Sequence, residues 1–160
     1  MKLLFSCCVS MFFSQLVFAQ VSANDIVNQV LFSEGGQSWT SRDLNLYSKT
    51  ITTYLKQEKL AEYSESATED FLISRLLKRE AVSFDLHPQN MFQYVSVKNG
   101  TSEFSRKETE DELLGLSYAI TLYNLKTKQM TQKVRFKAWI DVLKRKYQVK
   151  MKTNESISQR

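Results

Sequence analysis

Few side chains in this sequence could carry chemistry. The chain has one histidine, His87, and two cysteines, Cys7 and Cys8. Those three cannot supply the ligand set of an ordinary zinc or haem centre, so neither a metal nor another cofactor is expected. Catalysis of the Ser-His-Asp or Cys-His kind would rest on His87 alone. His87 precedes Pro88 in a polar stretch, where an imidazole is expected at the surface rather than as a base. Glu108, Glu110, Asp111 and Glu112 crowd together as the carboxylates of a metal or glycosidase site do. They are read more simply as acids favoured at a helix start. Gly35-Gly36 is followed by neither a Lys-Ser pair nor a third spaced glycine, so no phosphate loop is present. No enzyme is expected.

Basic residues and aromatics remain. Between Lys126 and Lys152 stand ten basic residues and one acid, Asp141. Nucleic acid is one partner for such a stretch. The bases gather where helices are expected to end, which the helix dipole favours, and a solvated face is the simpler reading. No nucleic-acid partner is expected, although this basic C-terminal region could touch an acidic membrane surface. Tyr47, Tyr54, Phe71, Tyr118, Tyr123, Phe136 and Trp139 all fall in expected helices, and most should be core. Any apolar face in excess of the core would leave a groove suited to extended peptides.

The elements that must position these residues follow from periodicity. Asp25 to Phe32 is rich in β-branched and aromatic residues and predicts a strand. Glu34-Gly35-Gly36-Gln37 supplies a turn, and Ser38-Trp39-Thr40 returns as a second strand. Thr40 or Ser41 caps a helix, with Asp43 three residues after Thr40. Leu44, Tyr47, Ile51, Tyr54 and Leu55 carry that helix to about Glu62. Ser66 with Glu69 caps a second helix, whose stripe is Leu72, Ile73, Leu76 and Leu77, ending near Ala81 or Val82. Residues 83 to 107 are irregular: Pro88 breaks a helix, Asn99-Gly100 marks a turn, and Phe92, Tyr94 and Val97 predict a short extended piece or one helical turn. A third helix runs from near Glu108 toward Lys128 through Leu113, Leu116, Ile120 and Tyr123, with Gly115 permitting a close crossing. The last runs from about Thr131 to Lys146 on Phe136, Trp139, Ile140 and Leu143. Tyr147 to Met151 then alternates as an edge strand does. No internal repeat is visible.

The first residues predict a secretory signal. Lys2 begins a positive n-region, an apolar run follows, and Val17-Phe18-Ala19 offers a cleavage site before Gln20. Ala23 closes a second candidate site. Removal of residues 1–19 takes both cysteines and Lys2, so the +5 of the whole chain becomes +4. The expected organisation is a signal peptide at 1–19, one domain at 20–152 and a disordered tail at 153–160.

The order of these elements resembles the N-terminal domain of the SurA-like periplasmic chaperones. Ile26-Val27-Asn28-Gln29-Val30, a turn, and Trp39-Thr40-Ser41-Arg42-Asp43-Leu44 resemble its opening. Glu69 to Ala81 is similar to its second helix, and Arg135 to Met151 to its closing helix and strand, the most specific of the three matches. The parvulin-type isomerase domain of that family is missing, because residues 83 to 130 are too few for a domain of about 100 residues. The histidines of parvulin sites are missing too.

The resemblance implies a fold that is mostly α with a small antiparallel β element. The C-terminal strand would return to the N-terminal hairpin and close a small sheet on a helical body. It also implies a periplasmic protein that binds unfolded, aromatic-rich outer-membrane or secreted segments without isomerase activity, and contact with the outer-membrane assembly machinery. Unfolded outer-membrane strands alternate apolar and polar residues, and tyrosine offers both characters in one side chain. The expected peptide-binding residues are therefore Tyr47, Ile51, Tyr54, Leu76 and Tyr123. The alternative is a structural or adaptor subunit of an envelope complex that holds one defined partner.

Overall fold

The computed structural model describes residues 29–88, 103–130 and 132–152. The expected signal peptide, the Asp25–Asn28 part of the first strand, the Phe92–Val97 piece, the Asn99-Gly100 turn and the 153–160 tail lie outside the described residues. Within them the chain is mostly helical with one small antiparallel sheet.

Strands β1 (Val30–Glu34) and β2 (Gln37–Thr40) form a hairpin. Gly35 and Gly36 sit at φ 54° and 89°. A two-residue hairpin turn of type I′ needs positive φ at both central positions, and glycine adopts it without strain. The register pairs Phe32 with Trp39 and Glu34 with Gln37, with an irregularity between Val30 and Phe32. Strand β3 (Lys150–Met151) adds to the other side of β1, opposite Ser33 and Phe32, so the strand order is β2-β1-β3. The sheet is therefore closed by the C-terminal end of the domain, as expected.

That closing strand is shorter than its alternating pattern implied. Tyr147 is the buried C-cap of the preceding helix, and Gln148 turns left-handed at φ 53°, so pairing starts only after Val149. The Tyr147 carbonyl instead accepts a hydrogen bond from Gly35 N at 2.9 Å, which pins the hairpin turn to the end of the last helix.

Helix α1 (Ser41–Thr50) begins with a full capping box: Thr40 accepts from Asp43 N, and the Asp43 carboxylate accepts from Thr40 N. Two backbone donors that a helix start leaves orphaned are thus satisfied together. Helix α1 passes into a π-helical stretch, Ile51–Leu55, which stops at Lys56 in the left-handed conformation. The helix expected to reach Glu62 therefore ends seven residues early. Tertiary structure overrides propensity here. The buried Asp70 carboxylate accepts from Leu60 N at 2.9 Å and Ala61 N at 2.8 Å, which fixes the segment as a loop.

Helix α2 (Ala67–Ser83) starts at Ser66, whose hydroxyl accepts from Glu69 N. It is the centre of the fold, with every residue from Asp70 to Leu77 buried. Its most extensive packing is against α3 (Arg106–Gln129). They approach closely at Gly115, where an added β-carbon would lie 3.2 Å from the Lys78 side chain. Helix α4 (Lys133–Lys146) lays Phe136, Ile140 and Leu143 on the same core.

Candidate peptide-binding groove

Two aromatic groups pack into this core. Around Phe71, the rings of Phe32, Trp39 and Tyr47 have centroids 5.5, 5.8 and 5.3 Å away. The Arg75 guanidinium stacks over Trp39 and Phe71 and pairs with Glu112 at 2.5 Å, both charged groups being buried. The second group surrounds Phe136, with Tyr63, Tyr123 and Trp139 at 5.6, 5.4 and 5.6 Å. All three of these neighbours are only half-buried.

The five expected binding residues divide between core and surface. Tyr47, Ile51 and Leu76 are 2%, 0% and 0% exposed, so none of them can line a peptide groove in this fold. The expectation is corrected for a physical reason. Tyr47 of α1 and Ile51 of the π-helical stretch pack, together with Leu76 of α2 itself, into one buried core. The Tyr47 hydroxyl donates to Asp70 at 2.5 Å, inside the core. Burial first, and then the Asp70 charge, push that phenol far above the usual tyrosine range.

Tyr54 and Tyr123 do come together. They line one groove of about 720 Å³ between the π-helical stretch, the loop after it and α3. Leu55, Leu60 and Ile120 give it apolar walls, and Glu58 and Glu62 stand among its polar lining. Burial raises the Tyr123 phenol above its ordinary value. Tyr123 also packs edge-on against Phe136, so it joins the groove to the second aromatic group.

Sequence reasoning missed the contribution of residues 57–62, because a helix was expected to continue through them. Ile120 and Leu55 stood on the expected stripes but were read as packing alone. His87 is exposed after α2, as a surface residue should be. Among the described residues no group of three or more His, Cys, Asp or Glu could hold a metal ion, and no helix is long and apolar enough to cross a membrane.

Comparison of the chain with protein-family models, with curated proteins and with solved structures gives no match.

Proposed function

We propose that the protein is a periplasmic, chaperone-like binder of unfolded, aromatic-rich outer-membrane segments, holding them without isomerising them. The observation that supports this most is the groove shared by Tyr54 and Tyr123. It presents two half-buried phenols over apolar walls, with carboxylates beside them. Such a surface suits a segment that alternates apolar and polar residues, because each phenol offers a flat apolar face and a polar tip. An unfolded client loses conformational freedom on capture, so the complex is weak and adaptable. The SurA-like order of elements in the sequence supports the same reading.

The test is binding of a labelled peptide with alternating aromatic and polar residues, measured by fluorescence anisotropy. A control peptide carries serine at each aromatic position. The aromatic peptide should bind and the serine control should not. Tyr54→Ala and Tyr123→Ala should each weaken binding while the protein still unfolds cooperatively. Lower thermal stability with unaltered peptide binding would overturn the groove. One stoichiometric partner, with no affinity for unrelated unfolded chains, would favour an adaptor role instead.

A further inference from the structure

A second cavity, of about 340 Å³, shares no lining residue with the groove. It lies between the β-hairpin and the C-terminal half of α2, and Glu34, Trp39, Arg75, Lys78, Arg79 and Val82 are on its walls. The three cations sit at i, i+3 and i+4 of one helix, so they share a face. Two are matched. Arg75 pairs with buried Glu112 at 2.5 Å, and Arg79 pairs with buried Glu34 at 3.1 Å. Lys78 has no carboxylate within 4 Å among the described residues. Glu112, Asp111 and Glu34 attract it from farther away, but burial and the Arg75 charge outweigh them and hold its pKa below the usual lysine range.

Two glycines clear space for these cations. A β-carbon at Gly35 would lie 2.6 Å from an Arg79 guanidinium nitrogen, and one at Gly115 would lie 3.2 Å from Lys78 Cδ and Nζ. Two wall residues also carry donor atoms that are closed off from solvent. Trp39 Nε1 and Arg75 Nε are buried with no hydrogen-bond partner among the described residues. Buried N–H groups without an acceptor are uncommon in folded proteins and call for an explanation.

We propose that this cavity binds one carboxylate carried on an apolar body. The unmatched charge is a single ammonium, Lys78, so one negative charge balances the site. A phosphate dianion would exceed that balance and would face the buried Glu34 carboxylate in the wall. Trp39 and Val82 give the apolar body its contacts. The volume is at the small end for ligand pockets, which fits an aromatic acid or the last residue of a peptide. Those two sources share the same chemistry, a free carboxylate beside an apolar group. The inference does not rest on the peptide groove.

Trp39 provides the readout. The chain has two tryptophans, so Trp139→Phe leaves Trp39 as the only indole. That variant is titrated with 3-phenylpropionate, with acetyl-Val-Phe bearing a free C-terminus, with the amide of each, and with inorganic phosphate. Calorimetry on the unsubstituted chain repeats the series, in case the variant does not fold. At least one carboxylate should bind saturably, and its amide should bind about tenfold or more weakly, as loss of a charge-assisted contact implies. Tighter binding of the dipeptide identifies a chain terminus as the source; tighter binding of phenylpropionate identifies a free acid. Lys78→Met keeps most of the stem and should cost about tenfold in affinity. Gly115→Ala keeps the charge but crowds the stem, and it should weaken binding with an unchanged or higher melting temperature. Equal binding of acid and amide, no saturable binding of either acid, tighter binding of phosphate, or full affinity in Lys78→Met would each overturn the proposal.

Discussion

The aromatic group around Phe71 and the one around Phe136 use the same kinds of ring at similar spacings, yet one is sealed and the other opens to solvent. Phe71 is enclosed by the hairpin on one side and α1 on the other. Phe136 is itself buried, but Tyr63, Tyr123 and Trp139 around it keep part of their surface outside. The difference comes from what meets each tyrosine hydroxyl. Tyr47 finds a buried carboxylate that also holds two backbone N–H groups, so its hydroxyl is satisfied inside. Among the described residues no buried carboxylate accepts from the Tyr54 hydroxyl. A polar tip without an interior partner stays near water, and its ring then lines a surface.

The most severe way to break the sealed group is Phe71→Ala. Truncating a fully buried phenylalanine costs about 3–5 kcal/mol. Chemical denaturation should show that loss, whereas a cost under about 1 kcal/mol would mean the rings pack loosely. A gentler pair of substitutions sharpens the contrast. Tyr47→Phe removes a hydrogen bond to a charged acceptor and should cost about 1.5–3 kcal/mol. Tyr54→Phe deletes the same atom from the groove and should stay within about 0.5 kcal/mol. Equal costs at the two positions would erase the distinction between sealed and open tyrosines.

The smallest effect lies at the outer edge of the sealed region, where Arg42 pairs with Glu108 at 2.6 Å. The backbone N–H of Ser105, then Arg42 and the Ser105 hydroxyl, lower the Glu108 pKa from 4.5 to about 2. A depressed carboxylate contributes stability that is complete above its unfolded value and is lost as pH falls through the folded one. Melting temperature should therefore decline between about pH 4.5 and pH 2, partly through this group. Glu108→Gln should flatten that limb slightly, since the pair is partly exposed and screened by solvent. An acid limb identical to that of the unsubstituted protein would show the pair contributes nothing.

Element types were legible in the sequence because local signals agreed with the fold. Thr40 with Asp43 and Ser66 with Glu69 marked helix starts, and Gly35-Gly36 marked the turn. Stripes such as Leu72, Ile73, Leu76 and Leu77 marked what would be buried. Boundaries failed where a distant group decided them. Asp70 captures the backbone of Leu60 and Ala61 and ends a helix that periodicity would have continued. The residues of the candidate groove were half legible for the same reason. A tyrosine on a helical stripe looks the same whether or not a carboxylate from another helix awaits its hydroxyl, so Tyr47 and Tyr54 were indistinguishable in one dimension. The cavity beside α2 left only the spacing of Arg75, Lys78 and Arg79, which also describes an ordinary solvated face.

The pairing of Phe32 with Met151 sets an order of events during synthesis. The hairpin is made first, and one edge of β1 must wait for a strand that lies 119 positions later in the chain. At about 5–20 residues per second, that wait is roughly 6 to 24 seconds. Through that time β1 carries unpaired backbone groups, the kind of edge on which chains aggregate. The first helices can form early, but the sheet cannot close until nearly the last described residue is made. A chain stalled inside α4 would therefore lack both the full fourth helix and the strand that covers the edge of β1.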